Sequence, residues 1–116
     1  MLVVEDDPLA LMMLMLDLQA DGFNVDGVET VREAVQFLGA NGAELDALVC
    51  DLDLRDGSDG YAVARSARTH NPAVAVLYTS GVGRPEFETR KVAGAGLSPK
   101  PWVAQEIAQR LRRLLG

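Results

Sequence analysis

The stretch Ala47–Leu54, ALVCDLDL, decides the fold of this chain. Its first four residues are apolar and lead directly into a carboxylate, Asp51, and the turn-forming run 55–60, RDGSDG, follows at once. A short apolar run between turn signals is typical of a strand that is buried on both faces of a parallel sheet. We therefore expect Asp51 at the carboxyl end of a central strand, next to the crevice where open α/β sheets bind ligands.

Composition narrows the class of protein. The 116 residues are 48% hydrophobic and 24% charged, which indicates one globular domain over residues 1–116. The net charge of −6 argues against nucleic acid or an anionic membrane as a direct partner. Cys50 is the only cysteine, so we expect a buried core thiol in a protein of the reducing cytoplasm.

Strand and helix patterns alternate five times along the chain. The predicted strands are Leu2–Val4, Phe23–Val28, Asp46–Asp51, Ala73–Tyr78 and Gly96–Ser98. The predicted helices are Leu9–Ala20, a helix that starts with the capping box Thr30–Glu33 and ends at Gly39–Gly42, Tyr61–Thr69, Pro85–Ala93 and Ala104–Leu115. This alternation predicts an α/β fold, a doubly wound five-stranded parallel sheet with helices on both faces. The flavodoxin-like strand order 2-1-3-4-5 suits five such units.

Polar side chains follow four of the predicted strands. In the predicted order, the run Glu5–Asp7, Asp51, Ser80 and Lys100 all lie at one edge of the sheet. Grouped carboxylates repel one another unless a cation offsets their charge, and oxygen ligands of this kind suit Mg²⁺. A lysine and a hydroxyl beside them can bind phosphoryl oxygens. The pattern predicts a carboxylate nucleophile, Asp51, that receives a phosphoryl group in the presence of a metal ion.

Five short segments occur in an order that is specific as a set. They are Val3–Pro8, Val49–Asp51, Gly57–Gly60, Tyr78–Gly81 and Lys100–Trp102. With them, the whole chain resembles the receiver domain of two-component response regulators. In the loop after Asp51 and in the pair Ser80-Gly81, it is most similar to the receivers of hybrid kinases and single-domain regulators.

The resemblance implies a phosphoacceptor and a metal site. Asp51 is the implied acceptor of a phosphoryl group from a phosphohistidine donor, with Mg²⁺ as the cofactor. Asp6, Asp51 and the backbone carbonyl of Asp53 are the implied direct ligands of the ion, and Glu5 holds it through water. The side chain of Asp53 faces either the phosphoryl group or solvent, and the sequence leaves both open.

The resemblance also implies a switch hydroxyl and a phosphoryl-binding cation. The hydroxyl belongs to Ser80 or to Thr79, and we favour Ser80 because Gly81 follows it. Lys100 pairs with the phosphoryl group, and a cis bond to Pro101 is expected after it. The implied function is that of a signalling receiver in a two-component phosphorelay rather than an enzyme.

The implied partner is a histidine kinase or a histidine phosphotransfer protein that docks near the first helix. That helix is apolar on nearly every side, so some of its side chains are expected to be exposed, among Leu9, Leu11, Met12, Met15 and Leu16. A homodimer through the face of helix 4, strand 5 and helix 5 is also implied. The length leaves no room for an output domain, so we expect a stand-alone receiver or one cut from a longer protein.

Two other functions compete with this interpretation. The sequence Asp51-Leu52-Asp53 resembles the Asp-x-Asp motif of Mg²⁺-dependent phosphohydrolases of the haloacid-dehalogenase type, in which the second aspartate is a general acid. That motif normally follows the first strand of its domain, and no acidic metal pair follows Lys100 here. A receiver-like module that binds a partner without being phosphorylated is the other alternative, and the complete set of acidic, hydroxyl and lysine residues disfavours it.

Overall fold

Five parallel strands form one sheet in the order β2-β1-β3-β4-β5 in a computed structural model that describes all 116 residues. The strands are β1 (Leu2–Val4), β2 (Asp26–Val28), β3 (Ala47–Asp51), β4 (Ala75–Ser80) and β5 (Gly96–Pro99). The helices are α1 (Pro8–Ala20), α2 (Val31–Asn41), α3 (Gly60–His70), α4 (Phe87–Arg90) and α5 (Ala104–Leu115), and one 3-10 turn (Gly42–Glu44) follows α2. The predicted flavodoxin-like architecture and strand order are confirmed.

Two elements are much shorter than the sequence predicts, and β4 lies two residues later than predicted, at Ala75–Ser80. β2 has three residues because it pairs only with the three residues of β1, and Phe23 and Val25 pack against the core outside the ladder. α4 is a single turn from Phe87 to Arg90, because Lys91 takes an extended conformation and Gly94 has a φ of +75°. The helix predicted over Pro85–Ala93 is therefore too long.

The central strand β3 divides the core into two layers. All five of its residues are buried, and successive side chains point to opposite faces. Leu48 and Cys50 pack with α2 and α3, whereas Ala47 and Val49 pack with α1 and α5. Cys50 is fully buried, and this burial, with the nearby Asp51 charge, raises the pKa of its thiol far above the usual value. Cys50 is a core residue, as predicted.

Side-chain caps hold the helix starts close to the carboxyl ends of the strands. Asp7 accepts hydrogen bonds from the N–H groups of Leu9 and Ala10 and caps α1. Asp59 caps α3 by accepting the N–H of Tyr61. α1 follows β1 with only three residues between them.

Helix α1 has a buried face and an exposed apolar face. Leu11, Leu14 and Leu18 are buried against the sheet, so the expectation that Leu11 is exposed is wrong. The exposed fraction is 60% for Leu9, 53% for Met12, 53% for Met13 and 58% for Leu16, while Met15 is half-buried. We call the first set, Leu9, Met12, Met13 and Leu16, the α1 patch. With 13 residues α1 is the longest helix, and none of the helices meets the length and apolar content of a membrane span.

Gly60 lies where α3 packs on the end of β3, and a methyl group there is expected to destabilise the fold. A Cβ atom on Gly60 lies 2.7 Å from the backbone oxygen of Asp51. Gly60→Ala should therefore lower the free energy of unfolding by about 1–3 kcal/mol, measured by urea denaturation. Gly39→Ala is the matched control, because its Cβ meets nothing within 4 Å inside α2, and it should raise stability by about 0.5–1 kcal/mol. Equal stability of Gly60→Ala and the wild type would contradict this packing.

Candidate functional site

The predicted functional side chains meet at the carboxyl edge of the sheet. Glu5 and Asp6 follow β1, Asp51 ends β3, Ser80 ends β4 and Lys100 follows β5. The strand pairing sets their relative positions, since β3 and β4 align Asp51 with Thr79 and β4 and β5 align Ser80 with Pro99. The structure thus brings together residues that lie up to 95 positions apart in the chain, in a cleft that is also lined by Asp53 and Trp102.

Asp51 is a buried carboxylate with one free oxygen. Its side chain is 1% exposed, and Oδ1 accepts hydrogen bonds from the Asp53 N–H at 2.8 Å and from Lys100 Nζ at 2.9 Å. Oδ2 is buried and has no hydrogen-bond partner. Since an unpaired buried oxygen is costly, this atom is available to a cation or to an electrophilic phosphorus.

Three carboxylates form an acidic cluster around that oxygen. One oxygen from each of Glu5, Asp6 and Asp51 lies within 4.8 Å of the others. Burial of Glu5, reinforced by the adjacent Asp51, raises the pKa of the Glu5 carboxyl from 4.5 to about 8. Asp6 is oriented by the N–H of Arg55, which donates to Asp6 Oδ2 at 2.7 Å. A Mg²⁺ ion binds hard oxygen donors such as these carboxylates. It would also offset their mutual repulsion and give the unpaired oxygen a partner, so these residues fit the ion.

Lys100 links Asp51, which ends the central strand, with Asp53, which follows it. Its ammonium lies 2.9 Å from Asp51 Oδ1 and 3.5 Å from Asp53 Oδ2. Burial lowers the pKa of Lys100, but the hydrogen bond and charge of Asp51 and the charges of Glu5 and Asp53 raise it above its usual value. Lys100 is therefore a permanent cation at neutral pH. The peptide bond from Lys100 to Pro101 is cis, as expected.

The side chain of Asp53, which the sequence left open, turns toward β4 and the loop after it. Its oxygens accept hydrogen bonds from Ser80 Oγ at 2.8 Å, the Gly81 N–H at 2.6 Å and the Arg84 guanidinium at 2.5 Å. Burial raises the pKa of Asp53, but these bonds and the charge of Lys100 outweigh it and hold the pKa at about 2. Asp53 is thus an anion throughout the physiological range, and Ser80 rather than Thr79 is the residue whose hydroxyl bonds to it.

Arg84 is the residue of this site that sequence reasoning missed. Its guanidinium contacts Asp53, donates to the Leu52 carbonyl at 2.7 Å and donates through Nε to Ser80 Oγ at 3.1 Å. The available signal was a lone basic residue four positions after Ser80, in a short loop with two glycines. Nothing in that spacing shows where a long side chain turns, because the loop is irregular.

The model of the response regulator receiver domain family matches residues 1–112. The chain belongs to this family. The receiver domain is 33% identical to the transcriptional regulatory protein BasR of Escherichia coli K12 and 28% identical to the sensor kinase CckA of Brucella abortus. Both alignments cover 98% of this chain. It spans about half of BasR, 51%, and only 12% of CckA.

The fold is also similar to solved structures of receiver domains. A response regulator receiver protein from Sinorhizobium medicae superimposes with a TM-score of 0.90 at 28% identity, over 98% of this chain and 91% of the other. The receiver domain of the hybrid histidine kinase CckA gives 0.82 at 25% identity, over 99% and 97% of the two chains. The resemblance predicted from the sequence is confirmed, and the chain is a receiver domain of two-component signalling.

The phosphohydrolase alternative is not favoured by these findings. The motif that suggested it, Asp51-Leu52-Asp53, follows the third strand of a receiver fold. A general acid must carry a proton at working pH, whereas the pKa of Asp53 is held at about 2. Asp53 is therefore unsuited to the role that such an enzyme gives to its second aspartate.

The raised pKa of Glu5 predicts how stability of the metal-free domain depends on pH. The carboxyl titrates near 4.5 when unfolded and near 8 when folded, so the free energy of unfolding should fall as pH rises between these values. Glu5→Gln removes that loss. At pH 9 in EDTA the variant should melt about 4 °C or more above the wild type, the shift that 1 kcal/mol produces in a domain of this size.

Melting curves at pH 5 and pH 9 check this prediction. At pH 5 the two proteins should melt within about 1 °C of each other, because Glu5 is then protonated in the folded state. Glu29→Gln, at an exposed position, is the control for loss of a glutamate charge. A difference between Glu5→Gln and the wild type that is the same at both pH values would contradict the assignment.

Proposed function

We propose that this receiver domain accepts a phosphoryl group from a phosphohistidine donor onto Asp51, in a Mg²⁺-dependent reaction. The observation that carries the proposal is the free oxygen of Asp51, a buried carboxylate atom without a partner between the acidic cluster and Lys100. Family membership supports it, because receivers act with histidine kinases or phosphotransfer proteins in two-component signalling. The lone buried thiol, Cys50, favours the cytoplasm as its compartment.

Under this proposal Asp6 and Asp51 bind the metal ion directly, together with the backbone carbonyl of Asp53, and Glu5 acts through water. The acidic cluster that fits the ion supplies three of these groups. When bound, Mg²⁺ supplies charge neutralisation between the carboxylates and the phosphoryl oxygens. Without a cation the negative phosphoryl group would meet several carboxylates at close range.

The side chains of the domain have distinct roles in the proposed transfer. A carboxylate oxygen of Asp51 attacks phosphorus, a P–O bond forms and the P–N bond to the donor histidine breaks. The imidazole leaves with the electron pair of that bond and takes up a proton. Lys100 pairs with a phosphoryl oxygen, and the Ser80 hydroxyl donates a hydrogen bond to another. Their positions on neighbouring strands allow both to reach a group carried by Asp51.

We propose that the histidine-bearing partner docks on the α1 patch. Four large apolar side chains of this patch are more than half exposed, which is unusual on a single helix. Ala10, on the same helix, lines the cleft that contains Asp51. A partner on the patch therefore holds its phosphohistidine beside the acceptor, and methionines adapt to more than one partner surface.

A homodimer through α4, β5 and α5 is a further proposal, tested by sedimentation with and without phosphorylation.

Asp51→Asn should abolish phosphorylation of the domain. Wild-type protein treated with a small acyl phosphate and Mg²⁺ should gain the mass of one phosphoryl group, and EDTA should reduce the labelled fraction at least tenfold. Asp51→Asn should gain nothing, because the amide is not a nucleophile of comparable strength. Intact-mass spectrometry measures all three. Asp7→Asn is a matched control, because Asp7 serves as the cap of α1 and asparagine caps equally well. Labelling that persists in Asp51→Asn would refute the assignment.

A charge in the α1 patch should separate docking from chemistry. Met12→Lys should slow transfer from a phosphorylated histidine phosphotransfer protein more than tenfold, because desolvating the new ammonium opposes docking. Phosphorylation by the small donor should change by less than twofold. Val35→Lys, at a 47% exposed position on α2 across the sheet, is the control and should affect neither rate. Equal losses with both donors for Met12→Lys would place the damage in the fold instead.

A further inference from the structure

The carboxylate of Asp53 is held by an unusually complete set of donors. Ser80 Oγ and the Gly81 N–H donate to its two oxygens at 2.8 and 2.6 Å, and Lys100 Nζ lies 3.5 Å away. Arg84 adds an ion pair at 2.5 Å. Charge-assisted bonds of this kind are about twice as strong as neutral ones, so Asp53 is strongly held although its side chain is 23% exposed.

These donors are also the ones that a phosphoryl group on Asp51 requires. Lys100 contacts both aspartates, 2.9 Å from Asp51 and 3.5 Å from Asp53, so the two carboxylates share one ammonium. Ser80 has one hydroxyl proton, and the shorter of its two hydrogen bonds is to Asp53 at 2.8 Å, the other acceptor being the Val82 carbonyl at 3.2 Å. A new anion on Asp51 can take that proton and the ammonium fully only if Asp53 gives them up.

We propose that Asp53 is an internal competitor of the phosphoryl group, and that Arg84 is the positioning residue that keeps Asp53 paired once it is displaced. The proposal rests on the proposed function of Asp51. When the donors of a site are already occupied, a new anion binds only to the fraction of molecules in which the donors are free. Its apparent affinity falls in proportion to that fraction. The charge of Asp53 adds repulsion at short range.

Arg84 is placed to limit the cost of that displacement. Its guanidinium is fixed to the backbone by the Leu52 carbonyl at 2.7 Å, so it stays in place when Asp53 leaves Ser80. Arginine keeps its charge at every relevant pH and can bind a carboxylate through several N–H groups. Asp53 therefore gives up its bonds to Ser80, Gly81 and Lys100 and keeps its ion pair with Arg84.

Beryllium fluoride in the presence of Mg²⁺ tests the competition, because it mimics a phosphoryl group on a carboxylate. Trp102, the only tryptophan, lines the same cleft, so its fluorescence reports binding, checked by fluorine NMR of the bound fluorides. Asp53→Asn should bind the probe at least tenfold more tightly than the wild type. The same variant should melt several degrees lower without the probe, because it loses its ion pair with Arg84.

Opposite signs for affinity and stability distinguish competition from a structural role. If Asp53 only held the loop in place, its substitution would lower both the probe affinity and the melting temperature. The matched control is the pair Asp59 and Arg90, which also meet at 2.5 Å but contact none of Ser80, Gly81 and Lys100. Asp59→Asn and Arg90→Gln should leave probe affinity within twofold of the wild type. Asp53→Ser, a smaller neutral variant, provides a second measurement if Asp53→Asn folds poorly.

Arg84→Gln tests the second half of the proposal. In the wild type it should weaken probe binding about fivefold, because displaced Asp53 loses its partner, and in protein that already carries Asp53→Asn the loss should stay below twofold. Equal losses in both backgrounds would overturn the role of Arg84. Unchanged or weaker binding by Asp53→Asn and Asp53→Ser would overturn the competition. Failure of the wild type to bind the probe or to be phosphorylated would instead refute the proposed function.

Discussion

The ion pair between Lys100 and Asp51 is the interaction on which the rest of this site depends. Asp51 is 1% exposed, and a carboxylate withdrawn from water to that degree is stable only with a close counter-charge and hydrogen bonds. Lys100 at 2.9 Å and the N–H of Asp53 at 2.8 Å provide them on one oxygen only. The other oxygen remains buried and unpaired, and this asymmetry is the observation on which the proposed role of Asp51 rests.

The electrostatics of the site are arranged in two halves that meet at Lys100. On one side, oxygens of Glu5, Asp6 and Asp51 lie close together, and burial, reinforced by the neighbouring Asp51, raises the pKa of Glu5. On the other side, hydrogen bonds and positive charges around Asp53 stabilise its carboxylate and hold its pKa at about 2. The first half lacks a cation and the second already contains an anion. A phosphoryl group bound with Mg²⁺ would relieve the first half and compete with the second.

Much of this arrangement was predictable from the sequence, because it depends on local patterns and on the rules of parallel sheets. The run Ala47–Asp51 predicted a fully buried central strand, and the alternation of strands and helices predicted the order 2-1-3-4-5, which the structure confirms. The carboxyl ends of parallel strands lie at one edge of the sheet, so the sequence alone predicts that Glu5, Asp51, Ser80 and Lys100 lie together.

The tertiary structure alone decided what depends on side-chain direction and on pairing between distant segments. β2 is short because its only partner, β1, has three residues, and Leu11 is buried because the rotation of α1 is set by packing on the sheet. The two orientations of Asp53 were equal on the sequence, and four donors from β4, the following loop and Lys100 selected one of them. Arg84 joined the site through an irregular loop whose course no periodicity describes. The sequence by itself therefore determined the fold and the edge where the chemistry lies, whereas only the folded chain decided which charges touch, because contact distances depend on packing across elements rather than on the order of residues.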